Sequence, residues 1–144
     1  MSTIARGNAA EAAVLLRLSL ARLPTLVPFG DGCHIDIAAL LPDDSLLRIQ
    51  VKSGWVRNGI VLFNSHSTDH GSGARGYVGR ADVFAVYVPV LDRVFVVPVE
   101  DCPTSKGWLR LQPTRNNQRI GIRMAEDYTF ERWLESVVTE PRAA

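Results

Sequence analysis

The feature that most constrains the fold is a pair of short apolar segments separated by a tight-turn sequence. Residues 34–41 and 45–54 both read as strands, with alternating polar and apolar side chains at 34–37 and 47–52, and Pro42-Asp43-Asp44 lies between them. Alternation with a period of two is typical of a strand with one buried face, and the intervening residues favour a tight turn. The sequence therefore predicts an antiparallel hairpin over residues 34–54.

The two predicted strands sort their side chains onto opposite faces. In the second strand one face carries Leu47, Ile49 and Val51, and the other carries Arg48, Gln50 and Lys52. Because residues opposite each other on paired strands share a face, aligning the aliphatic faces brings Asp36 of the first strand opposite Gln50 or Lys52. One face then joins the core, and the other gathers a carboxylate, an amide and an ammonium.

The rest of the chain reads as helix, strands and helix. The alanine- and leucine-rich segment 6–22 predicts a helix that Asn8 caps, with Glu11 completing a capping box and Pro24 ending it. Further strands are expected at 25–29, 55–63, 81–89, 93–99 and 108–111, with a polar loop at 64–76 and a closing helix at 128–138. This order predicts one α/β or α+β domain over residues 1–144, with a central sheet.

The composition lacks an apolar segment long enough to span a membrane, and the net charge is not that of a strongly basic protein. The net charge is +1, and no apolar run approaches the roughly 20 residues that cross a bilayer. Charge is nevertheless uneven, because residues 105–123 contain basic residues and no acidic ones, whereas the last stretch is acidic. Such a segment forms either a basic face that meets phosphates or an ordinary solvated surface.

Cysteine usage points to a reducing compartment. The chain has two cysteines, Cys33 and Cys102, which are far apart and lack metal-site spacing. We therefore expect reduced thiols and a cytoplasmic protein. His66 and His70 stand at helical spacing in the polar loop, but no neighbouring helix pattern or cluster of acids favours a metal pair there.

The polar face of the hairpin suits phosphodiester hydrolysis. Mg²⁺ prefers oxygen ligands, and Asp36 and Gln50 offer an anionic and a neutral oxygen. A bound metal lowers the pKa of water and polarises a phosphoryl group, while Lys52 can orient the water or stabilise developing charge. Glu11 adds a carboxylate beside the buried helix stripe, where an acid needs a partner. The alternatives are a helix cap for Glu11 and a structural ion pair between Asp36 and Lys52.

The sequence resembles the PD-(D/E)XK nuclease superfamily in its QxK variant. More narrowly, it resembles the PD-(D/E)XK endonuclease family that includes a cyanobacterial group I intron homing endonuclease. The matching stretches are 8–11 (NAAE), 28–31 (PFGD), 34–36 (HID), 48–54 (RIQVKSG), 81–87 (ADVFAVY), 116–118 (NNQ) and 125–128 (AEDY). They span most of the chain in the expected order.

The resemblance implies a restriction-endonuclease-like central mixed β-sheet flanked by helices, and a metal-dependent DNA endonuclease. The implied catalytic set is Glu11, Asp36, Gln50 and Lys52. Of these, Asp36, Gln50 and Glu11 would bind Mg²⁺, for which Mn²⁺ substitutes, and Asp31 would lie close by. The superfamily more commonly has an acid at the position of Gln50. Since an amide adds no charge, the departure implies weaker metal binding, or a decayed site that keeps only the DNA-binding shape.

The implied partner is double-stranded DNA, as in homing and restriction enzymes, or branched DNA, as in junction resolvases. The expected DNA contacts are Arg48, Ser53, Arg75, Tyr77, Arg80, Arg115, Asn117 and Arg119. A single small domain has little area for reading a long site, so we expect a homo-oligomer, either a dimer or a tetramer. The alternatives are a catalytically inactive DNA-binding or assembly module that retains the nuclease fold, and a metal-free sheet protein that binds no DNA.

Overall fold

The computed structural model describes residues 1–69, 73–102 and 105–139 of the chain. The first element is helix α1 (Thr3–Leu20) and the closing helix is α2 (Phe130–Thr139). The strands between them are β1 (Thr25–Leu26), β2 (Ile37–Leu40), β3 (Leu46–Ser53), β4 (Trp55–Arg57), β5 (Ile60–Asn64), β6 (Ser67–Asp69), β7 (Gly73–Arg75), β8 (Val83–Val88), β9 (Arg93–Pro98) and β10 (Lys106–Arg110). Within these described parts, no helix is long and apolar enough to cross a membrane.

The central sheet has the spatial order β1-β2-β3-β8-β9. Strands β3 and β8 run parallel, and the other neighbours are antiparallel, so the sheet is mixed. The predicted hairpin is confirmed as the β2–β3 pair, in which Ile37 lies opposite Ile49. This register aligns the aliphatic faces of the two strands, as the alternating pattern predicted.

The two faces of the central sheet pack against different layers. The helices cover one face, where Val14 and Leu18 of α1 pack in one cluster with Ile49 and Ala85. The other face packs on a second sheet of order β10-β5-β4, through a cluster of Val61, Phe63, Phe84, Val86, Phe95 and Leu109. Because both faces of β8 are buried, its sequence is apolar at every position instead of alternating.

The predicted start of α1 is wrong. Ser2 caps the helix instead of Asn8, because its side chain accepts a hydrogen bond from the backbone N–H of Ala5 at 3.1 Å. The helix then continues through Gly7 and buries one face against the central sheet. Glu11 therefore lies well inside the helix, where it cannot act as a capping residue.

The single strand predicted at 55–63 is also wrong. The segment forms the antiparallel pair β4 and β5, joined at Asn58 and Gly59. Both residues have positive φ, 52° and 72°, as the two-residue turns favoured in hairpins require. The polar stretch 64–76, predicted to be a loop, contains the short antiparallel strands β6 and β7, which pair with each other.

Candidate active site

Asp36 lies where the pairing of β2 with β3 ends. Its backbone N–H donates to the carbonyl of Ile49 at 3.0 Å, one residue before β2 begins. Its side chain turns onto β3, where Oδ2 accepts a hydrogen bond from Gln50 Nε2 at 2.7 Å and another from the backbone N–H of Val51 at 2.9 Å. The expectation that Asp36 faces Gln50 or Lys52 is therefore confirmed, with Gln50 as the partner.

The contact between Asp36 and Gln50 leaves one oxygen on each side chain available. The amide donates its N–H group, since an ionised carboxylate has no proton to offer, and the amide carbonyl stays accessible. Among the described residues, neither Oδ1 of Asp36 nor Oε1 of Gln50 accepts a hydrogen bond. An anionic and a neutral oxygen on adjoining side chains are the ligand types that a hard divalent cation prefers.

Lys52 is two residues beyond Gln50 and is held at two points. Its Nζ donates to the backbone carbonyl of His66 at 3.3 Å and lies 4.8 Å from the centre of the Tyr77 ring. Burial lowers the pKa of Lys52, and the negative charge of Asp36 works in the opposite direction. These two contacts therefore hold the ammonium group close enough to Asp36 for the two charges to attract each other.

Glu11 brings a second negative charge to this end of the sheet. It is half-buried on α1, and its pKa is raised by burial and, to a lesser extent, by the charge of Asp36. The pKa of Asp36 is itself raised by burial, although the Val51 N–H and the charge of Lys52 oppose that shift. The two carboxylates thus carry charge that the protein only partly compensates.

An open cleft of about 810 Å³ lies beside the cluster. Its walls come from the first turns of α1, the end of β3 and the second sheet. The lining residues are Thr3, Arg6, Gly7, Val51, Lys52, Ser53, Gly54, Trp55, Asn64, His66, Tyr77, Pro89 and Val90. Lys52 faces this cleft, whereas Glu11, Asp36 and Gln50 are not among its walls. Of the predicted DNA contacts, Ser53 and Tyr77 line this cleft.

Arg48 serves a structural pairing. Its side chain forms a salt bridge with Asp82, with Nη2 and Oδ1 3.0 Å apart, and its backbone N–H donates to the other carboxylate oxygen at 2.7 Å. These bonds raise the pKa of Arg48 and lower that of Asp82. The pair ties β3 to the chain that enters β8. A DNA contact by Arg48 stays a prediction.

The Tyr77 ring lies next to Lys52, and Arg80 lies near the same ring. The Tyr77 ring is only 6% exposed, packs edge-on against Phe84 with ring centres 5.4 Å apart, and lies 5.7 Å from the Arg80 guanidinium. One terminal nitrogen of Arg80, Nη1, is buried without a hydrogen-bond partner among the described residues. The sequence did not reveal how Lys52 is held, because neither a backbone carbonyl nor a ring distant in sequence leaves a pattern in the strand itself.

The remaining predicted contacts are separate from the cluster in sequence. Arg115, Asn117 and Arg119 are exposed on the segment that follows β10. Asp31 is exposed in the turn before Asp36, and His66 places Nδ1 2.7 Å from the Ser105 carbonyl. His70 and the side chain of Arg75 lie outside the described residues.

Within the described residues no group of three or more His, Cys, Asp or Glu forms a metal-binding cluster, so any site here depends on the amide of Gln50.

Comparison with known proteins agrees with this geometry. A family model described as PD-(D/E)XK endonuclease matches residues 1–131. Among solved structures, the chain is similar to a bacterial homing endonuclease, I-Ssp6803I, with 24% sequence identity and a TM-score of 0.68. That similarity covers 95% of this chain and 94% of the other. No curated protein matches. The structural similarity supports the restriction-endonuclease-like mixed sheet flanked by helices.

Proposed function

Because this chain belongs to the PD-(D/E)XK endonuclease family, we propose that it cleaves DNA by metal-dependent hydrolysis of phosphodiester bonds. One observation carries the proposal: Asp36 and Gln50 meet across two strands, Lys52 follows on the same strand face, and Glu11 approaches from α1. A simple structural ion pair would need neither the amide nor the second carboxylate. Mg²⁺ is the proposed ion, with Mn²⁺ as a substitute.

The donor set fits such an ion. Asp36 and Gln50 each keep an oxygen available, and Glu11 adds a carboxylate that is within electrostatic reach of Asp36. The carbonyl of Val51 leaves β3 on the same side as the N–H that binds Asp36, because both backbone groups of a strand residue point the same way. Burial raises the pKa of both carboxyl groups, which means that their negative charges are poorly solvated in the folded protein. A bound divalent cation would compensate these charges.

The chain's own residues position the reaction. A bound divalent ion supplies Lewis acidity and lowers the pKa of water. Gln50 and the Val51 N–H both hold Oδ2 of Asp36, which leaves Oδ1 available to a cation. Lys52, held by the His66 carbonyl and the Tyr77 ring, places its positive charge where negative charge grows on the phosphate.

A plasmid-nicking assay tests this function. Purified protein with Mg²⁺ or Mn²⁺ is expected to nick supercoiled DNA, and chelation is expected to stop the reaction. Asp36→Ala and Lys52→Ala are each expected to lower the rate by about 100-fold or more, since each removes a charge that acts at the reacting phosphate. Glu126→Ala, which removes an exposed acid near α2, is the matched control. Nicking that survives both site substitutions would rule out this active site.

A second function is favoured by one feature of the site. Among the described residues, the carboxylates of the cluster are those of Glu11 and Asp36, and the amide of Gln50 adds no charge for a metal. A catalytically inactive module would keep the fold and bind DNA. Salt-sensitive DNA binding without nicking, at any concentration of Mg²⁺ or Mn²⁺, would support that module over the enzyme.

We propose that the partners are duplex or branched DNA and further copies of this chain. Leu16 and Leu20 are exposed one turn apart on the same side of α1, and Phe29 is fully exposed nearby in sequence. An apolar helix face of this kind suits contact with a second protomer in a dimer or tetramer. The cytoplasm is the proposed location, since Cys33 and Cys102 are both free thiols.

A further inference from the structure

We propose that the outer face of the second sheet binds duplex DNA and leads it to the cleft beside Lys52. The proposal rests on the proposed nuclease function and names the surface that holds the substrate. The inner face of this sheet packs on the central sheet through Val61, Phe63 and Leu109. Because side chains alternate along a strand, the residues next to these in sequence point outward.

The outward residues form three cross-strand rows. The rows are Lys106–Asn64, then Trp108–Leu62–Trp55, and finally Arg110–Ile60–Arg57. The middle row is apolar and aromatic, and the two outer rows carry the positive charges. All eight side chains are half-buried or exposed. We call this surface the basic face.

Among the described residues, no carboxylate pairs with the cations of the basic face. Residues 45–68 and 105–125, which contain β4, β5 and β10, include no Asp or Glu. Within the described residues, no salt bridge involves Arg57, Lys106 or Arg110. A surface with positive charge alone attracts a phosphate backbone and repels a second copy of itself.

Aromatic rings of the basic face hold Lys106 and the neighbouring Arg123. Lys106 Nζ lies 5.5 Å from the centre of the Trp55 ring, and the Arg123 guanidinium lies 4.3 Å from that of Trp108. Arg123 also donates to the Trp108 carbonyl at 3.3 Å. A cation on a ring is ordered but keeps its charge and its outward N–H groups, so it remains available to phosphate oxygens.

The basic face is continuous with the cleft. Trp55 and Asn64 belong both to the sheet and to the walls of the cleft that Lys52 faces. His66, whose carbonyl accepts from Lys52, contacts the Ser105 carbonyl next to Lys106. The row of Lys106 is therefore the end nearest the active site. From there to Arg110 the strand runs about 13 Å, the length of about four base pairs along a duplex.

The arrangement favours duplex over single-stranded DNA. Binding of single strands depends on aromatic rings that stack on bases. Here both tryptophans are half-buried, and each has a cation over its ring. The groups that remain accessible are ammonium and guanidinium groups, which bind the phosphates of a duplex.

Salt-dependent binding tests the proposal. The probe is a fluorescein-labelled duplex of about 20 base pairs without divalent metal, and the variant is Arg57→Ala with Arg110→Ala. At roughly 100 mM salt we expect the variant to bind the duplex about tenfold more weakly than the wild type does. In a plot of log affinity against log salt concentration, its slope should be shallower by about 2, one unit for each lost phosphate contact. Arg93→Ala with Arg132→Ala, on β9 and α2, is the matched control with two arginines removed elsewhere.

The Arg57→Lys and Arg110→Lys double variant checks that any loss is not a folding defect. It keeps both charges and is expected to retain the wild-type salt slope. The proposal is overturned if the alanine variant binds like the wild type, if its salt slope does not change, if the control loses as much affinity, or if single-stranded DNA of the same length competes equally well. A wild-type protein that binds no duplex overturns it too.

The two proposals fail separately. A wild-type protein that binds duplex through the basic face but never nicks it supports this surface and rejects the enzyme. A wild-type protein that nicks DNA, while the alanine variant binds as well as the wild type, rejects the surface and leaves the active site untouched.

Discussion

At the scale of single residues, Asp36 is held in a state that the fold does not favour. Burial raises the pKa of its carboxyl group more than the Val51 N–H and Lys52 lower it. The folded state therefore binds a proton at Asp36 more readily than the unfolded chain does. Ionised Asp36 thus lowers stability at pH values above its raised pKa, and this penalty disappears as pH falls through that pKa. Such a conflict is typical of a functional site.

Asp36→Asn is expected to stabilise the protein while it abolishes nicking. The asparagine keeps an oxygen that can accept from Gln50 and the Val51 N–H, and it removes the desolvated charge. Metal-free thermal unfolding at pH 7 should show a higher Tm than the wild type, with the difference shrinking in acid. An equal or lower Tm at pH 7 would mean that Lys52 compensates the charge of Asp36 fully.

The nicking rate is expected to depend on pH at both ends. Because the pKa values of Glu11 and Asp36 are raised, these two carboxylates, which we propose as metal ligands, become protonated at pH values above their ordinary 4.5 and 3.8, so activity is expected to fall early in acid. The lowered pKa of Lys52 moves the loss of its charge below 10.5, so activity also falls early in base. Lys52→Arg should shift the alkaline fall upward, because guanidinium stays protonated. A fall at the same pH in both proteins would contradict a charge role for Lys52.

The sequence predicted that Asp36 faces Gln50 or Lys52, because side chains alternate along a strand with a period of two, so registers that differ by two residues keep the same faces aligned. The observed register, with Ile37 opposite Ile49, selects Gln50. The sequence did not predict that Tyr77 and the His66 carbonyl hold Lys52. Those contacts join segments that are far apart in sequence. A contact made by a backbone carbonyl does not depend on the type of residue, so the sequence does not mark it.

At the scale of elements, buried strands were predictable and boundaries set by local capping were not. Strands β8 and β9 lie inside the apolar runs predicted at 81–89 and 93–99. Helix α1 begins earlier than predicted, because Ser2 caps it and the buried face of Ala10 and Val14 carries the helix past Gly7. The Asn58-Gly59 turn was missed although Asn-Gly is a strong hairpin signal, since the apolar residues on both sides read as one strand.

Two glycines are expected to respond in opposite ways to alanine. A Cβ on Gly107 of β10 would lie 2.1 Å from the ring of Phe63, which is fully buried, whereas one on Gly7 of α1 meets nothing within 4 Å. Gly107→Ala should lower the free energy of unfolding by about 1–3 kcal/mol through overpacking. Gly7→Ala should raise it by about 0.5–1 kcal/mol, as expected within a helix. Chemical denaturation measures both, and a neutral Gly107→Ala would contradict close packing of the second sheet.

At the scale of the whole molecule, the layers separate two surfaces. The helices cover one face of the central sheet, and the second sheet covers the other. The exposed apolar side of α1, with Leu16 and Leu20, therefore belongs to one outer layer, and the basic face belongs to the opposite one. Assembly through α1 would leave every basic face free for DNA.

Leu16→Glu with Leu20→Glu is expected to produce monomers. Both side chains are exposed on α1, and glutamate favours helices, so the fold should persist while charge opposes an apolar contact. Sedimentation velocity compares this variant with the wild type. Val138→Glu on α2, which changes another exposed apolar residue, should sediment like the wild type. If the double variant keeps the wild-type sedimentation coefficient, α1 is not the interface.

The most direct test is to locate a divalent ion in crystals of the wild-type protein soaked with Mn²⁺. We predict one anomalous peak within about 2.5 Å of Asp36 Oδ1 and Gln50 Oε1, with Glu11 turned toward it. The same soak of Asp36→Asn crystals should show a weaker peak or none. Wild-type crystals with no peak between Asp36 and Gln50, or with Mn²⁺ bound only elsewhere on the chain, would contradict the proposed metal site.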